Sequence, residues 1–249
     1  MDFFEADDGV EIGYAVEGEG SPVLLAHGFA STHEVNWIAT GWAKALTQAG
    51  YRVIMPDMRG HGQSGKPHDK QAYTLSAMAA DLVALLDHLG EPGADLMGYS
   101  MGAMVSLVAA MERPERFDKI VAAGVGAKLL DPRRDPGPVI EALLTNDPSS
   151  IEDKGALLFR TFADQNKQDR EALAACFEAV RAPFPADGLS RITRPVLVVA
   201  GETDSQAGAA EPLAERMPNG EAFTVPKRDH MKTVGERAYK EAVLKFLGE

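Results

Sequence analysis

Leu96-Met97-Gly98-Tyr99-Ser100-Met101-Gly102-Ala103-Met104 decides how this chain is read. An apolar run from Ala94 ends at Gly98, and a serine then stands between two glycines in Gly98-Tyr99-Ser100-Met101-Gly102. Small and apolar residues continue from Met101 to Arg113. The pattern predicts a strand, a sharp turn with serine at its apex, and a helix, the setting in which Gly-x-Ser-x-Gly presents a nucleophile. A side chain projecting from so tight a turn sits on strained backbone, and its neighbours must be small to avoid collision.

Outward from this stretch the chain alternates strands with helices. Val10 to Glu17 alternates apolar and polar residues, as an antiparallel strand with one wet face does, and Phe3-Phe4 begins a partner strand across an Asp8-Gly9 turn. Pro22 to Ala26 is apolar throughout, the signature of a strand buried on both faces, and runs into the small-residue loop His27-Gly28-Phe29-Ala30-Ser31. A helix is expected from Trp37 to Ala49, closed by Gly50. The buried strand Arg52 to Pro56 follows, leading into the glycine-rich loop Asp57 to Gly65. Thr74 opens a helix with Met78, Leu82, Leu85, Leu86 and Leu89 on one stripe. Past the serine, Phe117 to Gly124, Pro195 to Gly201 and Ala222 to Val225 read as strands, and the last helix runs from about Val234 to Leu247. The expectation is an α/β fold: a mostly parallel, twisted sheet of about eight strands flanked by helices. In such sheets sites lie beyond the carboxyl ends of the strands, and His27, Asp57 and Ser100 all follow strand ends.

From 128 to 190 the pattern changes. A polar, proline-rich linker (Asp131 to Pro138) leads to helical segments at Val139 to Thr145, Ile151 to Asn166 and Asp169 to Arg181, none bounded by strands. Residues 1–127 and 191–249 are therefore read as the core, and 128–190 as a helical lid inserted over its rim. The lid's apolar positions, including Leu129, Leu130, Leu143, Leu144, Leu157, Leu158, Phe159, Phe162 and Phe177, are expected to pack the lid and to line an apolar pocket. Which of them meet substrate is unknown from sequence. Arg133-Arg134 reads as a solvated pair and Cys176 as a small lid-packing residue.

Composition narrows the function classes. A net charge of −12 over 249 residues disfavours nucleic acid and anionic membrane surfaces as partners. A single cysteine forms no internal disulfide and fits a reducing compartment. The first residues, Met1-Asp2-Phe3-Phe4-Glu5, carry no basic leader, and no apolar run reaches the roughly 18 residues of a membrane span. A cytoplasmic enzyme acting on a small molecule is expected. There are no cysteine pairs, no histidines at ligand spacing and no dinucleotide fingerprint, so no metal or cofactor is expected. Gly60-x-Gly62 reads as a tight turn, with Asp57 and Arg59 structural.

A serine hydroxyl needs a base to act as a nucleophile near neutral pH, and histidine suits that task. Of six histidines, His88 lies within a helix, His68 in a polar loop, His61 in the glycine-rich loop, His27 in the loop placing Phe29, and His33 on the surface at a helix start. His230 falls between the last strand and the last helix and is the expected base. An orienting carboxylate is then required. Asp204, after the strand 196–200, is preferred to Glu202, which lies closer to the strand end. It is also preferred to Asp229, which adjoins His230, cannot easily fold back onto it, and reads as surface charge.

With these residues in order, the chain resembles the α/β-hydrolase fold superfamily, in its serine-nucleophile, carboxylesterase-like branch, over nearly its whole length. The resemblance rests on His27-Gly28-Phe29, the segment Asp57-Met58-Arg59-Gly60-His61-Gly62-Gln63-Ser64, the turn at Ser100, and the order nucleophile, acid, histidine in Ser100, Asp204 and His230. Asp229 departs from the pattern, since many relatives carry glycine there. The resemblance implies an oxyanion hole made by two backbone N–H groups, those of Phe29 and Met101. Met101 opens a helix, so the positive end of the macrodipole faces the same place. Haloalkane dehalogenases and epoxide hydrolases of this fold carry aspartate at the turn, whereas a serine implies acyl transfer. The expected function is a serine hydrolase cleaving an ester, lactone or thioester of a small to medium apolar substrate. The alternatives are a cofactor-free haloperoxidase or perhydrolase, a C–C bond (diketone) hydrolase with the same residues, and a small-molecule receptor on this scaffold.

Overall fold

In the computed structural model, which describes residues 1–131 and 135–249, eight strands form one sheet. They are β1 (Asp2–Glu5), β2 (Glu11–Glu17), β3 (Ser21–Ala26), β4 (Tyr51–Pro56), β5 (Ala94–Tyr99), β6 (Phe117–Ala123), β7 (Val196–Gly201) and β8 (Gly220–Val225), in the order β1-β2-β4-β3-β5-β6-β7-β8. The hairpin strand β2 pairs antiparallel with β1 and with β4, and every other pairing is parallel. The helices are α1 (Trp42–Gln48), α2 (Leu75–His88), α3 (Met101–Glu112), α4 (Gly137–Leu144), α5 (Lys154–Gln165), α6 (Arg170–Val180), the short α7 (Glu211–Ala214) and α8 (His230–Thr233), and α9 (Arg237–Gly248). The expected pair Arg133-Arg134 lies outside the described residues.

The apolar runs explain the layering. Val23 and Leu25 of β3 face one core with Trp42 and Leu46 of α1 and Tyr239 and Val243 of α9. Leu24 and Ala26 face the other, with Leu82 and Leu86 of α2 and Ala103 and Leu107 of α3. A strand covered on both sides has no polar face to show, hence no alternation.

Two helices are shorter than expected. Gly41 adopts φ 77°, a left-handed conformation, and separates a helical turn at Glu34–Ile38 from α1. The expected helix from Trp37 to Ala49 is thereby broken. The last helix begins at Arg237 rather than Val234, because the Glu236 side chain caps it by accepting from the Arg237 N–H. The preceding turn, α8, is a separate element capped by Asp229, whose side chain accepts from the Lys232 N–H.

Strand β3 pairs with β4 on one side and β5 on the other, with Ala26 opposite Gly98. Chain connections diverge here, and the loops after β3 and β5 leave side by side; open α/β sheets place their crevice at such a point. Between β6 and β7, helices α4 to α6 form a small core of their own, with Leu143, Ala163, Leu173 and Ala174 packed on Ala30 and against Phe29. Asp153 and Asp169 cap α5 and α6 through their side chains. Leu144, Leu157 and Leu158 of this region are exposed, Leu158 at 71%. Among the described residues no helix is long and apolar enough to cross a membrane.

Candidate active site

The turn after β5 is built on close backbone approaches. A Cβ at Gly98 would lie 2.3 Å from the Gly102 carbonyl oxygen, and one at Gly102 would lie 2.0 Å from the Ala26 carbonyl oxygen. Neither position admits a side chain, so the start of α3 nests against the end of β3. Ser100 between them takes φ 55°, ψ −112°, a conformation that costs about 1–3 kcal/mol for a non-glycine residue. Its N–H is secured on the Ala123 carbonyl at 2.7 Å.

Three residues distant in sequence meet here. His230 Nε2 lies 3.0 Å from Ser100 Oγ, and His230 Nδ1 lies 2.8 Å from Asp204 Oδ2. A carboxylate only accepts, so the imidazole proton sits on Nδ1 and the Nε2 lone pair faces the serine hydroxyl. The other carboxylate oxygen, Asp204 Oδ1, accepts from the N–H groups of Gln206 and Ala207, each at 2.9 Å. Asp204 is 4% exposed and His230 9%. The Tyr99 hydroxyl donates to the His230 carbonyl at 2.5 Å and anchors the loop that bears the imidazole.

The competing acids are occupied elsewhere. Glu202 is exposed and accepts from the Lys227 N–H at 2.7 Å. Asp229 is more than the surface charge expected of it: it caps α8, and the Lys232 N–H holds its carboxyl below the usual range.

The other histidines make their contacts elsewhere. His33, expected on the surface, is instead half-buried, and both its N–H and its Nδ1 meet Asp57 Oδ1 at 2.8 Å. The partner carboxylate lies in a loop beyond β4, too far along the chain for a sequence pattern to reveal. Burial pushes the Asp57 carboxyl up, but the His33 side chain, the nearby His27 and the N–H groups of His33 and Gln63 bring it down to about 2. His27 is fully buried; its Nε2 accepts from the Met58 N–H at 2.9 Å, so Nδ1 carries the proton and donates to the Gly28 carbonyl at 2.8 Å. His61 donates from Nδ1 to the Arg59 carbonyl at 2.9 Å, and burial lowers its pKa to about 3. His88 meets the Tyr14 hydroxyl at 3.1 Å, and exposed His68 pairs with Asp169 and Glu171 of the α6 region.

Phe29 follows β3, and Met101 is the first residue of α3. Among the described residues, neither backbone N–H has an acceptor. The Gly28 carbonyl is held by His27 and, at 3.2 Å, by the Ser31 N–H. A trans peptide directs its N–H opposite to its C=O, so the Phe29 N–H points away from those donors. The Phe29 ring meets Phe177 and Phe159 at centroid distances of 5.1 and 5.8 Å. Cys176 does more than pack α6 internally, since its Sγ lies 3.7 Å from Met101 Sδ. No group of three His, Cys, Asp or Glu able to hold a metal ion occurs among the described residues.

Sequence comparison agrees with this architecture. The family model described as alpha/beta hydrolase fold matches residues 21–175. The chain is 31% identical over 216 residues to 3-oxoadipate enol-lactonase 2 of Acinetobacter baylyi, covering 81% of this chain and 79% of that protein. A 38% identical match to an epoxide hydrolase of Caballeronia sordidicola covers 48% of this chain and only 36% of that protein. Among solved structures, a hydrolase from Pseudomonas aeruginosa PA01 superposes with a TM-score of 0.84 at 28% identity, covering 100% of this chain and 98% of that one. The sheet order, the serine turn at the divergence of β3 and β5, and these matches lead to one conclusion: the chain belongs to the α/β-hydrolase fold family.

Proposed function

We propose that this chain is a serine hydrolase that cleaves a carboxylic ester, lactone or thioester of a small to medium apolar substrate through an acyl-enzyme. The observation that carries the reading is the continuous hydrogen-bonded line from Asp204 through His230 to a strained, turn-borne Ser100. Ser100 Oγ attacks the acyl carbon while His230 Nε2 takes its proton. The carbonyl oxygen becomes an oxyanion between the N–H groups of Phe29 and Met101. Collapse expels the alkoxide or thiolate, which receives the proton from His230. Water, deprotonated by His230, then releases the acid and restores Ser100. Asp204 keeps the imidazole in the required tautomer and stabilises its cationic form.

Helices α4 to α6, within residues 128–190, serve as the lid in this reading. Their core closes on Phe29 and Ala30, and Asn166 Nδ2 donates to the Ala30 carbonyl at 3.3 Å. The aromatic group Phe29, Phe159 and Phe177 forms the apolar wall for the acyl or alcohol portion. A lactone as substrate is favoured by the identity to the enol-lactonase across most of both chains.

Ser100→Ala is expected to lower kcat on p-nitrophenyl esters by about 10⁴-fold or more. A fluorophosphonate probe is expected to label the parent protein at Ser100. Full activity in Ser100→Ala sinks the assignment.

A further inference from the structure

Asn36 lies in the helical turn Glu34–Ile38 and is 6% exposed. Its turn is fastened at the start: Thr32 Oγ1 accepts from the Val35 N–H at 3.1 Å, the Thr32 carbonyl accepts from the Asn36 N–H at 2.9 Å, and His33 is held by Asp57. The Asn36 side chain then reaches back, and its Oδ1 accepts from the Gly28 N–H at 3.0 Å. That bond fixes the orientation of the carboxamide, because only the oxygen accepts. The Asn36 Nδ2 is left buried without an acceptor among the described residues. A buried donor left open is destabilising, and such a group calls for an explanation.

The explanation lies at Gly28. A Cβ built there would stand 3.6 Å from Asn36 Oδ1 and 3.6 Å from Ser100 Cβ, so carboxamide and serine flank the same glycine. Gly28 is the residue whose conformation aims the Phe29 N–H. Its carbonyl is held by His27 and Ser31, and its N–H, among the described residues, by Asn36 alone. With no side chain to restrict it, glycine rotates freely unless both ends are tied.

We propose that Asn36 is a positioning residue of the oxyanion loop: by holding the Gly28 N–H it keeps the Phe29 N–H directed at the developing oxyanion. This role rests on the serine-hydrolase reading above. The open Nδ2 is the cost of placing an acceptor where an apolar residue would pack more favourably.

The test compares the parent protein with Asn36→Leu and the smaller Asn36→Ala on a p-nitrophenyl ester and its thionoester, whose C=S accepts hydrogen bonds weakly. Losing an oxyanion donor costs about 10²–10³ in rate, and misdirecting one is expected to lower oxoester kcat about 10–100-fold. KM is expected to stay within about threefold, and thionoester kcat to fall by less than about threefold. The oxoester-to-thionoester ratio does not depend on the fraction of protein folded, so it survives any loss of stability. An unchanged ratio in both variants overturns the role of Asn36 while leaving the serine-hydrolase reading intact. A parent protein that neither turns over esters nor labels at Ser100 overturns that reading and this role with it.

Discussion

At Asp204 one carboxylate serves an imidazole and two backbone N–H groups, while Glu202, two residues earlier, meets the Lys227 N–H at the surface. The two acids are therefore predicted to part sharply on substitution. Asp204→Asn replaces an acceptor by a group that no longer dictates the imidazole tautomer, and kcat on p-nitrophenyl esters is expected to fall about 10⁴-fold. Glu202→Gln is expected to stay within about twofold of the parent, as an exposed change away from the reacting atoms does. Ser100, Asp204 and His230 were legible because each follows its own strand and the three occur in a recognisable order. His33, Asn36 and Tyr99 were not, because their parts are defined by partners elsewhere in the chain. Tyr99 meets a carbonyl 131 positions away, and Asp57 lies 24 positions beyond His33.

Strand β5 delivers the serine, and its second residue is a half-buried acid. Asp95 Oδ1 accepts from the Lys119 N–H at 3.0 Å beside a register irregularity between Ala94 and Leu96. Burial raises its carboxyl to about 6, against the opposing pull of Lys119. Between about pH 4 and 6 the folded protein thus holds a proton that the unfolded chain has released, and stability falls as pH rises through that window. Asp95→Asn keeps the acceptor oxygen and removes the charge. Its unfolding temperature is expected to exceed that of the parent at pH 8 and to match it near pH 4, as thermal melts at both pH values would show. The strands themselves were legible because runs such as Pro22 to Ala26 carry no polar alternation. The break in the helix expected from Trp37 was not, since a glycine within an apolar helical pattern gives no sign of whether its φ is positive. Gly41 at φ 77° decided that point.

Across the molecule, Arg59 joins parts far apart in sequence. Its guanidinium donates to both oxygens of Asp81 on α2, at 2.7 and 2.6 Å, to Asp8 in the β1–β2 hairpin, and to the Ala72 carbonyl. Arg59→Leu leaves Asp81 buried without its countercharge, and urea unfolding is expected to show a loss of about 3–5 kcal/mol. The sheet followed from hydrophobic pattern, and the bounds of its strands did so to within one or two residues, β8 beginning at Gly220 rather than Ala222. The fit of α4 to α6 over the rim did not, because contacts such as Cys176 with Met101 depend on how two helices dock. The Tyr99 hydroxyl, whose burial keeps it protonated and donating, grips the carbonyl of His230. Strand β8 lies at the sheet's margin, and α8, the short helix that follows it, begins with the imidazole-bearing residue. The phenol ties the residue bearing the imidazole to the residue next to Ser100, so imidazole and hydroxyl are joined twice, once through their own hydrogen bond and once through the backbone that carries them.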